Sequence, residues 1–180
     1  MRGERAGKKA NQISMYGTPT LTEELELSGN TFTIMKAYSH YLMGKGVPLT
    51  WRLENTGITP TVAKLPDLQR AISLAGTGIT NIDINMAYDA GLDSSVAKYV
   101  IGNITIRAVG KIVRPESGPI TFNGEIRAYN DLYDFDKSTH RSILTEAATT
   151  AGRLVGQRAK ATPYEIQLPG AIQYHIPSNN

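Results

Sequence analysis

Two stretches of strict alternation, separated by a turn, constrain this chain more than anything else in it. Residues 100–113 (VIGNITIRAVGKIV) place Ile104, Ile106, Ala108 and Ile112 on one side, with Asn103, Thr105, Arg107 and Lys111 on the other. Residues 120–130 (ITFNGEIRAYN) repeat the pattern, with Ile120, Phe122, Ile126 and Ala128 against Thr121, Asn123, Glu125, Arg127 and Tyr129. Period two with one apolar side is the mark of a strand packed on one face and wet on the other. The intervening RPESGP is turn chemistry, so the pair predicts a long antiparallel hairpin. Extending the second strand in phase puts Asp131 and Tyr133 on its polar side.

The remaining elements are arranged around that hairpin. Residues 30–43 (NTFTIMKAYSHYLM) gather Ile34, Tyr38, Tyr41 and Leu42 on one helical face, and Gly44, Gly46 and Pro48 end the helix. Residues 65–75 (LPDLQRAISLA) form a second helix, with Pro66 in its first turn and Gly76 beyond it. The segment 47–64, which holds the only tryptophan, Trp51, reads as irregular. Residues 138–155 (STHRSILTEAATTAGRLV) return to helical spacing through Ile143, Ala147, Ala151 and Leu154, capped by Ser138 or Thr139 and closed by Gly156. Residues 164–176 give two short alternating runs about Pro169–Gly170, an edge hairpin or bent strand. The order predicts an α+β fold: N-terminal helices followed by a twisted antiparallel sheet or partial β-barrel, with one helix after the polar loop.

Composition limits the chemistry. The 180 residues contain no cysteine, which excludes disulfides, thiolate nucleophiles and Cys-ligated metal sites. No apolar run approaches the ~20 residues that span a bilayer, and the charged first ten residues lack the apolar stretch of a secretory signal. Those ten residues carry four cations and one carboxylate, a surplus equal to the net charge of +3 of the whole chain. The rest is neutral, unlike a nucleic-acid-binding domain with cations spread over a face.

Polar side chains are densest in residues 131–141 (DLYDFDKSTHR), which run from the end of the second strand into the first turn of the helix. Free amides and the positive helix end there offer an anion site, beside carboxylates able to hold a metal, an arrangement suited to a phosphate ester. Asp131-x-Tyr133-Asp134, five residues, then His140-Arg141 resembles the D-x-Y-D-x5-H-R signature of colicin M and related bacteriocins. Five such identities recur by chance in a chain this long on the order of 10⁻⁴ of the time. Phe122 and Gly124 in the preceding strand fit the same resemblance, which covers the chain from about residue 47 onward.

The resemblance implies residues 1–45 as a flexible arm plus helix, a shortened translocation or receptor-binding region or linker, and residues 46–180 as the catalytic domain. It implies a toxin hydrolysing lipid II between undecaprenyl and pyrophosphate, which blocks peptidoglycan synthesis. It implies Mg2+ or another divalent cation such as Ca2+ or Mn2+. It further implies an outer-membrane receptor and energised import machinery, a cognate immunity protein, and peripheral contact with the inner membrane. Such a toxin is made in the cytoplasm without a signal peptide, is released by its producer and acts in the periplasm of the target cell.

Within this scheme Asp131 is the acid/base residue or a metal ligand, and Asp134 completes the ion site or orients His140. His140 transfers a proton near neutral pH, Arg141 neutralises phosphate charge, and Tyr133 donates to a phosphate oxygen. Arg127 stands where the family has a lysine and keeps that charge on the substrate. Structural alternatives stand beside each role: a strand-end turn for Asp131, an Asx turn for Asp134, a helix cap for His140, a surface ion pair for Arg141 and a packed aromatic for Tyr133. Two other functions also stand, a phosphodiesterase acting on another substrate and a non-catalytic receptor-binding or inhibitory module.

Overall fold

The computed structural model of the chain describes residues 25–134 and 161–177. The basic arm, the helix read over residues 138–155, His140 and Arg141 lie outside the described residues. Within them the α+β class is as expected, with helices leading into antiparallel strands. Helix α1 (Thr33–Met43) buries Ala37, Tyr38, Tyr41 and Leu42 on the face read from its spacing. Helix α2 (Pro66–Leu74) starts on its proline and buries Leu68. Strand β1 (Leu49–Thr50) lies between them. Strands β2 (Gly78–Asp89), β3 (Asn103–Arg114) and β4 (Thr121–Ala128) follow, with the short helix α3 (Ser95–Val100) between β2 and β3. Strands β5 (Asp131–Tyr133), β6 (Tyr164–Gln167) and β7 (Ile172–Pro177) complete the described elements.

The predicted hairpin is β3–β4, paired from Ile106 with Ala128 to Val113 with Thr121. It is the centre of a four-stranded antiparallel sheet in the order β2-β3-β4-β7. Ile104, Ile106, Ala108, Ile112, Phe122 and Ile126 face inward and are almost fully buried. Gly110 and Gly124 sit directly opposite each other on this inner face. A Cβ on Gly124 would lie 2.3 Å from the Val109 carbonyl oxygen and 2.7 Å from the Phe122 ring. A Cβ on Gly110 would meet that ring at 2.7 Å. The Phe-x-Gly pattern therefore has a packing cause: the phenyl ring folds over the two glycines and meets Tyr174 of β7, with ring centroids 6.2 Å apart.

A second sheet in the order β1-β6-β5 pairs β1 parallel and β5 antiparallel to β6. It corrects three expectations. Residues 47–64 are not wholly irregular: β1 lies within them, and Trp51 next to it is fully buried. Residues 164–176 are not a hairpin, because β6 joins the small sheet and β7 the edge of the large one. The strand carrying Asp131 and Tyr133 is not an extension of β4's wet face. The chain leaves the large sheet after Tyr129, whose N–H still bonds the Thr105 carbonyl at 2.9 Å, and crosses to pair with β6.

One hydrophobic core underlies both sheets and α1. Its polar edge is held by Asp93, whose nearly buried carboxylate accepts from Lys64 and Tyr88, and from the Thr59 N–H at 2.8 Å. Because Gly124 has backbone rather than a flexible side chain above it, Gly124→Ala overpacks the hairpin and is expected to destabilise by about 1–3 kcal/mol. A thermal melt checks this, and an unchanged melting temperature would refute the glycine argument.

Candidate active site

Cross-strand register sets the environment of the motif carboxylate. Ile166 pairs with Leu49 on one side and with Asp131 on the other, so Asp131 ends a row whose other two members are fully buried. Asp131 is half-buried there, and burial pushes its carboxyl up to about 6, opposed in part by the backbone N–H of Leu132. Two residues on, Tyr133 shares that face and is almost fully buried. Its ring stacks on Tyr164, the residue opposite it in register, with centroids 5.0 Å apart and planes at 24°. Tyr41 of α1 meets Tyr133 edge-on at 5.9 Å. Burial and the neighbouring phenols Tyr38 and Tyr41 raise the pKa of Tyr133, so it is a neutral hydrogen-bond donor at any physiological pH.

The stack is fastened to α1. Tyr164 donates its hydroxyl to the Ala37 carbonyl at 2.9 Å, and the His40 ring stands edge-on to Tyr164 at 4.7 Å. His40 Nε2 in turn lies 2.7 Å from the Val47 carbonyl, so His40 has a structural place at the edge of the core. In the sequence Tyr41 reads as part of the packing face of the first helix and Tyr164 as part of the alternation in residues 164–167, and neither signal carries partner information.

The candidate residues are divided between two surfaces. Asp131, Tyr133 and the half-buried Asp134 lie together at β5. Arg127 lies apart from them, on the exposed face of the large sheet, and its Nε donates to Glu125 at 2.6 Å. Leu132, between Asp131 and Tyr133, points the other way and is 58% exposed. A separate open groove of about 470 Å³ runs between residues 58–61 and β7 and contains none of the motif residues.

Among the described residues, no three histidine or carboxylate side chains converge on one point. The carboxylates of Asp131 and Asp134 are donors of the kind magnesium takes, an ion that accepts one or two protein carboxylates and completes its shell with water and substrate oxygens. Among the described residues, no cation figures among the causes of the Asp131 shift. A desolvated carboxylate of this kind gains from a hard cation.

A family model described as Colicin M matches residues 8–178, nearly the whole chain. Colicin-M of Escherichia coli is 31% identical over 147 residues, 82% of this chain and 53% of that protein. The chain belongs to the colicin M family. Among solved structures, the colicin M-like bacteriocin PaeM of Pseudomonas aeruginosa superposes with a TM-score of 0.76 at 36% identity, covering 99% of this chain and 60% of that one. Truncated syringacin M of Pseudomonas syringae pv. tomato DC3000 gives a TM-score of 0.75 at 39% identity over 86% of this chain and 62% of that one. The chain thus spans between half and two thirds of the length of these relatives. Colicin M-like bacteriocins are toxins, and this chain carries their α+β scaffold. No described helix is long and apolar enough to cross a membrane.

Two outcomes follow for this colicin M scaffold. Burial holds the Asp131 proton to a higher pH in the folded chain than in the unfolded one, so ionising it costs stability as pH rises from about 4 through about 6. In metal-free protein, Asp131→Asn is expected to raise stability at pH 7.5 by up to about 2 kcal/mol, with the gain disappearing at pH 4. Melting curves of both proteins at the two pH values check it. Tyr133→Ala is expected to cost about 3–5 kcal/mol through loss of the stack. Tyr133→Phe keeps the ring and stays within about 1 kcal/mol of the parent, so activity lost in that variant reports on the hydroxyl alone.

Proposed function

We propose that the chain hydrolyses lipid II between the undecaprenyl group and the pyrophosphate, releasing undecaprenol and a pyrophosphorylated disaccharide-peptide. The observation that carries this reading is Asp131: a motif carboxylate held on a strand of the colicin M scaffold, desolvated so that its pKa is about 6. A carboxyl in that range is a better proton acceptor at neutral pH than one near 4, and still ionised enough to act. A divalent cation held by Asp131 and Asp134 would screen the charge of the diphosphate oxygens.

The remaining steps belong to the chain's own side chains. Tyr133, kept neutral, offers its hydroxyl proton to a phosphate oxygen. His140 and Arg141 follow within the next eight residues; in this reading His140 transfers the proton between water and the leaving oxygen, and Arg141 binds the negative charge. One water is consumed, its hydroxyl going to one fragment and its proton to the other. As a bacteriocin, the protein would act in the periplasm of a target cell after uptake through an outer-membrane receptor, with a cognate immunity protein protecting the producer.

The test is incubation with labelled lipid II and magnesium, with and without chelator, followed by separation of undecaprenol from the water-soluble product. Turnover is expected for the parent protein and abolished by chelator. Asp131→Ala is expected to reduce kcat by at least 10²-fold, the usual scale for a general acid–base group. Turnover unchanged in that variant would reject the site, and a parent protein that binds lipid II without cutting it would favour the binding-module reading.

A further inference from the structure

Polar residues dominate three cross-strand rows on the outer face of the large sheet. Asn85, Arg107 and Arg127 form one row, Asp83, Val109, Glu125 and Gln173 the next, and Asn81, Lys111, Asn123 and His175 the third. In the first row two arginines stand directly opposite each other on neighbouring strands. Like charges in that position are unfavourable. Each is offset by a carboxylate from the adjacent row. Arg107 binds Asp83 in a fork, Nε to Oδ1 at 2.6 Å and Nη2 to Oδ2 at 2.5 Å, and Arg127 donates to Glu125 at 2.6 Å. Arg107, Asp83 and Arg127 are exposed and Glu125 partly so, a setting in which such pairs contribute little to stability.

The row lies where the chain leaves for the candidate site. Tyr129, the next outward residue of the strand, is 44% exposed and donates its hydroxyl to Asn85 Oδ1 at 3.1 Å. Asn130 follows, holding the crossing in place through Glu165 at 2.7 Å and the Leu168 N–H at 3.1 Å. Asp131 comes next. A pair of planar cations oriented by carboxylates, beside an exposed phenol ring and an amide, has the donors and acceptors for a ligand that is both anionic and rich in hydroxyl and amide groups.

Resting on the lipid II reading above, we infer that Arg107, Arg127, Tyr129 and Asn85 form a subsite for the hydrophilic headgroup of the substrate, with Arg107 a binding residue outside the sequence motif. The saccharide-peptide end of the substrate then runs from Asp131 back along β4. The two arginines engage the anionic groups of the headgroup, while Tyr129 and Asn85 engage its hydroxyls and amides. Each carboxylate partner keeps its guanidinium in place when the subsite is empty.

Two measurements test this: steady-state kinetics on lipid II, and direct binding of the water-soluble pyrophosphorylated disaccharide-peptide, which lacks the lipid. Arg107→Ala is expected to raise KM about tenfold with kcat within twofold, to weaken binding of the soluble headgroup by a similar factor, and to leave the melting temperature unchanged. Arg107→Lys restores part of the loss, because charge returns without the fork. Lys111→Ala, on the same face two rows away, is expected to leave both constants unchanged. Equal losses in Lys111→Ala and Arg107→Ala would replace the subsite with general electrostatic attraction and overturn the inference. So would an unchanged KM and headgroup affinity in Arg107→Ala. Headgroup binding that depends on Arg107 in a parent protein that cuts no lipid II would instead sink the hydrolase reading and leave the subsite standing.

Discussion

The packing of Tyr133 between Tyr164 and Tyr41 governs the candidate site, because a strand has no freedom to bury one residue without placing its second neighbour on the same side. Once the Tyr133 ring is fixed against Tyr164, Asp131 is committed to the row it shares with Ile166 and Leu49. A slip of one residue along β6 would turn Leu132 inward and free the carboxylate to water, but it would also eject the aromatic ring from the core. The hydrophobic gain of the ring therefore holds a charged group where that charge is unfavourable. Helix α1 is part of the same device, since the Tyr164 hydroxyl, the His40 ring and Tyr41 all tie it to the back of the stack.

The parts of this fold that could be read from sequence are those whose signal is local and long. The β3–β4 hairpin has eight paired positions on each strand and a long alternation, and the inward residues come out as read. Helices α1 and α2 likewise carry enough turns to show a face. The small sheet was hidden for a physical reason. Strands β1 and β6 are two and four residues long, and their parallel pairing joins positions more than a hundred residues apart, so no local period announces it. Helix α3, only six residues, lies below the length at which periodicity separates from noise.

Asp131 was singled out in the sequence but placed on the wrong kind of surface, and the cause is instructive. Arg127, Tyr129, Asp131 and Tyr133 keep one phase through the crossing at residues 129–130. The two sheets share one core, so a chain that passes from one to the other without a phase break exchanges outside for inside. Arg127 remains in water with Glu125, whereas Asp131 and Tyr133 turn toward the core. The pair Leu132–Tyr133 gave no warning, because a leucine in phase with the inward residues and a tyrosine in phase with the charged ones is what a strand wet on one face would show.

Local conflicts between sequence and environment are concentrated near this crossing. Asp131 is desolvated, and Arg107 and Arg127 face each other, both within or beside one short run of chain. Elsewhere apolar residues fill the described core, and Asp93, the one carboxylate with an almost fully buried side chain among the described ion pairs, is ringed by donors. Conflicts of this sort persist in a protein only where something other than stability retains them. In the lipid II reading proposed above, the desolvated carboxyl would serve the bond to be cut and the paired cations the polar headgroup. Such chemistry accounts for a half-buried carboxyl that opposes its own fold at neutral pH more directly than binding without cutting does.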